Sequence, residues 1–118
     1  MTKGDILYGR KKSDAIHPIV FLQTKDDTFF IGAMLTTANN YPENILMKPE
    51  HFKMMDSKGI KHELYFDNTH LVKAKLIKRN EWQPFRKIGE LTDEGIDFVE
   101  AHVNTEEEKL WEDFINVK

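Results

Sequence analysis

The first two thirds of the chain contain short β-type segments separated by turn residues, and the last third changes to a helical pattern. The β-type segments are rich in Val, Ile, Phe and Tyr and are bounded by Gly, Pro, Asp and Asn, which is typical of short strands. The candidate strands cover residues 5–8, 19–22, 28–35, 45–47, 63–66 and 71–79. Many short strands at close spacing favour a barrel or a sandwich over a parallel α/β sheet. We therefore expect a mainly β domain.

Local signals add detail to this pattern. The polar residues 25–27 separate the second and third candidate strands, which predicts a hairpin. Gly32 lies inside the third strand and indicates a bulge or a close backbone approach. Residues 51–55 fit either one helical turn or an edge strand, and the sequence does not decide between them.

The C-terminal third predicts two helices. Thr92 is a suitable N-cap, because Asp93 and Glu94 follow it where the helix dipole favours negative charge. The apolar residues that recur at helical spacing after this cap are Ile96, Val99 and Val103. Thr105 and Glu108 match a capping box for a second short helix. The apolar stripe of that second helix would be Leu110, Trp111 and Phe114.

Length and composition limit the class of protein. The chain has 118 residues, which fits one domain, and it has no cysteine, so it has neither disulfides nor thiolate metal sites. Its apolar runs are far shorter than the roughly 20 residues that cross a bilayer. We therefore expect a soluble, cytoplasmic protein with no membrane association. The formal net charge is −3, which excludes the strongly basic balance of a nonspecific nucleic-acid binder but leaves room for a local basic patch at residues 10–12.

The order of these elements, together with several short residue strings, resembles the MazF/PemK family of toxin ribonucleases. The strings are Lys3 to Leu7, His17 to Leu22, Ile31 to Thr37, Phe66 to Asn68 followed by Leu71 to Ile77, and Phe85 to Thr92 leading into a helix. The resemblance runs in colinear order over roughly residues 3–103, and residues 104–118 extend beyond the usual end of the family.

The resemblance implies a fold and a function. It implies an SH3-like barrel closed by a C-terminal helix, here one domain over residues 1–118 with its core at about 3–103 and an extra short helix in the extension 104–118. It also implies a homodimer that cleaves single-stranded RNA at short sequences without a metal or other cofactor. The natural protein partner would be a cognate antitoxin.

The family resemblance also points to site residues. His17 stands before Pro18, at the position where the family has a catalytic arginine. Thr36 and Thr37 stand where the family has a Thr or Thr-Ser that contacts the scissile phosphate. Asp67 lies in the segment where some members use an acid. The candidate catalytic residues are therefore His17, Thr36 and Asp67, and Thr37 is a candidate RNA-binding residue.

Metal-free RNA cleavage needs a base for the 2′-hydroxyl, an acid for the leaving 5′-oxygen, and donors or cations around the phosphate. His17 suits the base or the acid, because histidine ordinarily titrates near neutral pH. Thr36 suits the donor to a nonbridging oxygen. Arg10, Lys11 and Lys12 would bind RNA and supply the positive charge of the missing arginine.

Each candidate also has an ordinary structural explanation. His17 fits a solvated side chain, the two threonines fit strand-end hydroxyls, residues 10–12 fit a solvated loop, and Asp67 fits a turn. The remaining histidines are scattered without ligand spacing, so we expect no metal site; they are His51, His62, His70 and His102.

Two other functions therefore stay open. One is a noncatalytic SH3-like interaction module that has lost the catalytic arginine of the family. The other is an accessory subunit that docks through its acidic C-terminal helix.

Overall fold

A computed structural model describes residues 2–8, 17–37, 43–64, 68–80 and 86–116. Its strands are β1 (Asp5–Tyr8), β2 (Ile19–Thr24), β3 (Phe29–Thr36), β4 (Ile45–Leu46), β5 (His70–Leu71), β6 (Lys75–Arg79), β7 (Arg86–Glu90) and β8 (Glu108–Leu110). Its helices are a 3-10 helix (Pro49–His51), α1 (Asp93–Val103) and α2 (Trp111–Asn116). The mainly β fold with C-terminal helices is confirmed, and none of the described helices is long and apolar enough to cross a membrane.

The strands form one sheet in the order β4-β5-β3-β2-β1-β7, and every neighbouring pair on this path is antiparallel. Strand β3 is the centre of the sheet because it pairs with three others. It pairs along its length with β2, through its first half with β6 and through its last two residues with β5. Strand β8 extends the sheet by pairing in parallel with β6.

Apolar side chains pack on both faces of this sheet, because consecutive strand residues point to opposite faces. One cluster contains Ile6, Val20, Leu22, Ala33, Leu35, Met47, Phe52, Leu71, Ile88, Leu91, Val99 and Val103. The other contains Leu7, Ile19, Phe21, Phe30, Met34, Ala74, Leu76 and Trp111. Helix α1 therefore covers the first cluster, and α2 covers the second with Trp111, which is only 2% exposed.

The hydrogen-bonded ladder of the described residues is open, since β4 and β7 lie at its two ends and do not pair with each other. The chain that follows β4 nevertheless reaches the free side of β7. Phe52 forms a bridge with Leu91, and the backbone N–H of Lys53 donates to the carbonyl of Glu90 at 3.0 Å. One segment thus links the two edges of a curled sheet.

The predicted hairpin between β2 and β3 is confirmed. The carboxylate of Asp26 accepts hydrogen bonds from the backbone N–H groups of Thr28 (2.8 Å) and Phe29 (2.9 Å), which closes the turn and lowers the pKa of Asp26. Gly32 is also confirmed as a close approach, because a Cβ atom there would lie 2.6 Å from the carbonyl oxygen of Val20. The β2–β3 register shifts nearby, which is the signature of a bulge.

Helix α1 begins as predicted at the Thr92 cap, whose hydroxyl accepts from the N–H of Gly95 at 3.1 Å. The helix packs on the 3-10 helix. Of residues 51–55, for which the sequence left a helical turn or an edge strand open, only His51 is helical, and Phe52 and Met55 form isolated β-bridges. His51 ends this turn, is only 3% exposed, and accepts from the N–H of Lys48 through Nδ1 at 3.0 Å. Burial lowers the pKa of His51, although Glu94 and Glu50 oppose this effect.

The predicted single strand over 71–79 is wrong, because the chain is interrupted between β5 and β6. Leu71 pairs with Leu35 but Leu76 pairs with Gly32, so four residues between these pairs face only two on β3. A tight turn absorbs the two extra residues, with the N–H of Ala74 donating to the carbonyl of Val72 at 2.9 Å.

The predicted capping box at Thr105 and Glu108 is also wrong. Glu108 begins β8, not the first turn of a helix, and α2 starts only at Trp111. Pairing with β6 outweighs the capping signal here, and an ion pair of 2.7 Å between Lys25 and Glu108 holds the start of β8. This strand carries Trp111 to the second apolar cluster.

Candidate active site

Three polar side chains lie in a row at the C-terminal end of β3. Thr36 pairs directly with His70 of β5 on one side. On the other side, Ile19 pairs with Met34, and the N–H of Leu35 donates to the carbonyl of Pro18 at 3.0 Å. Continued by one residue, to the bend that precedes β2, this register would bring His17 opposite Thr36.

Residues directly opposite each other in a sheet project from the same face. Thr36 and His70 therefore share one face of two neighbouring strands, with their backbones about 5 Å apart. Together with His17, which lies at a bend two residues before β2, we call them the cross-strand row.

The members of the row differ in exposure. Thr36 is 9% exposed, whereas His17 and His70 are half-buried. Both histidines thus remain partly accessible to solvent, whereas Thr36 is nearly covered. On the far side of His70 the row continues to Leu46 of β4, which is 52% exposed.

The ring of His70 is held by the backbone of the turn before it. Its Nδ1 atom lies 3.0 Å from the carbonyl oxygen of Asn68. Asn68 has a φ of 58°, in the left-handed region that asparagine tolerates better than most residues. Asn68 lies two residues before His70, and its carbonyl oxygen lies beside the imidazole.

Of the other predicted site residues, the structure describes only Thr37. Thr37 is exposed and follows the last residue of β3, so it lies next to the row. Arg10, Lys11, Lys12 and Asp67 lie outside the described residues.

A further positive group lies at the same end of the sheet. Arg86 of β7 pairs with Tyr8, the last residue of β1, and its guanidinium lies 5.7 Å from the centre of the Tyr8 ring. Glu63 forms an ion pair with Arg86. Their hydrogen bond lowers the pKa of the Glu63 carboxyl and raises the pKa of the Arg86 guanidinium, so this charge is already compensated.

His70 is the member of the row that sequence reasoning missed. It has no ligand spacing with the other histidines, and its partner Thr36 is remote in sequence. The available signal is its position at the start of a strand, two residues after the turn-prone Asn68. Using that signal requires the β3–β5 register, which the sequence does not give.

We also searched the rest of the described residues for a metal site or a ligand cavity. No group of three or more histidine or acidic side chains within the described ranges is arranged to hold a metal ion. A shallow cavity of about 220 Å³ lies at the opposite end of β3, lined by Asp27, Thr28, Arg79 and Asn80. Searches against protein-family models, curated proteins and solved structures find no match to this chain.

Proposed function

We propose that this chain is a toxin-like, metal-independent endoribonuclease of the MazF/PemK type that cleaves single-stranded RNA. The observation that supports the proposal is the β2–β3 register, which extends through the hydrogen bond from the Leu35 N–H to the Pro18 carbonyl and, continued by one residue, would bring His17 beside Thr36. These are two of the positions at which the sequence resembles the site of that family.

The proposed reaction is attack of a 2′-hydroxyl on the neighbouring phosphate. His17 exchanges a proton with the reacting oxygens, since an imidazole is the side chain best suited to this near neutral pH. The hydroxyl of Thr36 donates a hydrogen bond to a nonbridging oxygen as negative charge builds there. Thr37, Arg10, Lys11 and Lys12 would bind the flanking RNA, and Asp67 would assist the proton transfers.

We also propose that the curled sheet is an SH3-like barrel. The support is the segment from β4 to Phe52, which starts at one edge of the ladder and bridges to Leu91 beyond the other edge. Hydrogen bonding from Leu64 to Ile88, at 2.8 Å, adds a second contact along the same side of β7. The proposed barrel would act in the cytoplasm as a homodimer and be neutralised by an antitoxin.

Purified protein incubated with a panel of single-stranded RNAs in EDTA tests the activity. We expect cleavage that leaves a 2′,3′-cyclic phosphate and a 5′-hydroxyl. His17→Gln should reduce the rate by about 10²–10⁴-fold, the range for general acid–base groups. Thr36→Val keeps the side-chain shape and should reduce it by about 10²-fold or more, as for other hydrogen-bond donors to a transition state.

His102→Gln is the matched control, because it removes a half-buried histidine from helix α1, outside the cross-strand row. It should leave the rate unchanged. Intact RNA across the whole panel, with a folded wild-type protein, would refute the ribonuclease and leave the noncatalytic interaction module as the better explanation.

A further inference from the structure

We infer that His70 is the general base of this site and that His17 is its general acid. The inference rests on the proposed function and assigns a second catalytic residue to it. Cleavage by a 2′-hydroxyl needs two proton transfers, and one group cannot be on both sides of the phosphate in a single step. His70 pairs with Thr36 on one side, and the β2–β3 register, continued from Pro18, would bring the imidazole of His17 to the other side.

The contact with Asn68 decides which imidazole takes the proton. A backbone carbonyl only accepts hydrogen bonds, so Nδ1 of His70, 3.0 Å from the Asn68 oxygen, must carry the hydrogen. In the neutral ring the lone pair is then on Nε2, at the outer end of the side chain. His70 is thereby held in the tautomer that a base requires, with its reactive nitrogen directed away from the turn.

The same contact supports the charged state that follows. When Nε2 takes a proton, the ring becomes an imidazolium that still donates through Nδ1 to the Asn68 carbonyl. Hydrogen bonds in which the donor is charged are about twice as strong as neutral ones. The bond therefore strengthens as the proton moves, which stabilises the transition state relative to the resting site.

Two proton transfers accompany one substitution at phosphorus. Nε2 of His70 removes the 2′-hydroxyl proton, and the 2′-oxygen forms a bond to phosphorus. The bond from phosphorus to the 5′-oxygen breaks, and protonated His17 gives its proton to that oxygen. The products are a 2′,3′-cyclic phosphate and a 5′-hydroxyl, with His70 charged and His17 neutral, and exchange with water restores both.

His70→Asn is the discriminating variant. An asparagine amide nitrogen occupies nearly the position of Nδ1, so this variant keeps a donor for the Asn68 carbonyl but has no base. A structural role predicts an unchanged rate, whereas the catalytic role predicts a loss of about 10²–10⁴-fold. His102→Gln is the matched control, because it removes a half-buried histidine of helix α1 outside the cross-strand row, and it should retain activity.

A modified RNA substrate distinguishes the general acid from the general base. In this RNA the leaving 5′-oxygen at the mapped cleavage site is replaced by sulfur. A thiolate leaves without being protonated, so His17→Gln should recover on this substrate. His70→Asn should remain impaired. Recovery of His70→Asn would show that its role is that of the acid and would overturn the assignment.

A measurement on the wild-type protein avoids any problem with variant folding. ¹⁵N NMR at high pH should show His70 with hydrogen on Nδ1, and finding it on Nε2 would overturn the inference. An active wild type with an equally active His70→Asn overturns only the inference. A wild type that cleaves neither substrate overturns the proposed function together with it.

Discussion

Replacing Gly95 with alanine tests how tightly helix α1 is fixed to the 3-10 helix. Alanine in place of glycine within a helix normally stabilises it by about 1 kcal/mol. Here the added Cβ would lie 2.2 Å from the carbonyl oxygen of His51 and 3.0 Å from its carbonyl carbon. The backbone of His51 would have to move by about 1 Å before this contact became ordinary, which is overpacking of the kind that costs about 1–3 kcal/mol.

Two hydrogen bonds donated by Thr92 to the 3-10 helix oppose that movement of the His51 backbone. The His51 carbonyl accepts from the N–H of Thr92 at 3.0 Å, and the carbonyl of Glu50 accepts from the Thr92 hydroxyl at 2.7 Å. Losing one such bond adds about 1 kcal/mol. After the helix-propensity gain is subtracted, we expect a net destabilisation of about 2 kcal/mol, or roughly 8 °C in Tm for a domain of this size.

Urea denaturation followed by tryptophan fluorescence measures this free energy of unfolding. Ala101→Gly is the matched control, since Ala101 is an exposed position of the same helix and should show only the intrinsic glycine penalty of about 1 kcal/mol. If Gly95→Ala were as stable as the wild type or more stable, the close contact between α1 and the 3-10 helix would be refuted.

Three further outcomes are expected. Trp111→Ala should lower the free energy of unfolding by about 3–5 kcal/mol in urea denaturation, because it empties a buried aromatic site in the second cluster; a change near zero would show that α2 is not part of the core. Asp26→Ala should destabilise the protein through the β2–β3 turn. Because folding lowers the pKa of Asp26, the difference in Tm between the variant and wild type should be fully present above pH 3.8 and shrink as the pH falls below that value. Burial lowers the pKa of His51, so the unfolded chain binds more protons, and wild-type stability should fall as the pH drops through 6.5. His51→Asn, which keeps an acceptor for the Lys48 N–H, should show a shallower decline, and equal slopes would contradict this reasoning.

Features set by a few neighbouring residues could be predicted from the sequence. The Thr92 cap and the turn at Asp26 each depend on chemistry within a few positions, and both are confirmed. Glu108 shows the limit of such signals. It satisfied a local capping pattern, but parallel pairing with Lys75, 33 residues earlier, decided its conformation.

The candidate site depends on the same kind of remote pairing. His17 and Thr36 could be proposed separately, but their alignment follows from the β2–β3 register, and His70 joins them only through the β3–β5 register. A shift of one residue in either pairing would turn a side chain to the opposite face. The sequence therefore indicates which residues are chemically suitable but not which of them meet.

The pairing of β8 with β6 has a consequence for the timing of folding. During synthesis the first residues of β3 and β6 leave the ribosome well before Trp111, yet the second apolar cluster remains open on that side until Trp111 is available. Asp5 likewise pairs with Glu90, so β1 gains its second neighbouring strand only after β7 has been synthesised. Chains dominated by such nonlocal contacts fold slowly. In a nascent chain, the sheet face that carries the second apolar cluster would thus stay exposed until helix α2 has been synthesised. During that interval a chaperone or a partner segment would compete with α2 for this face.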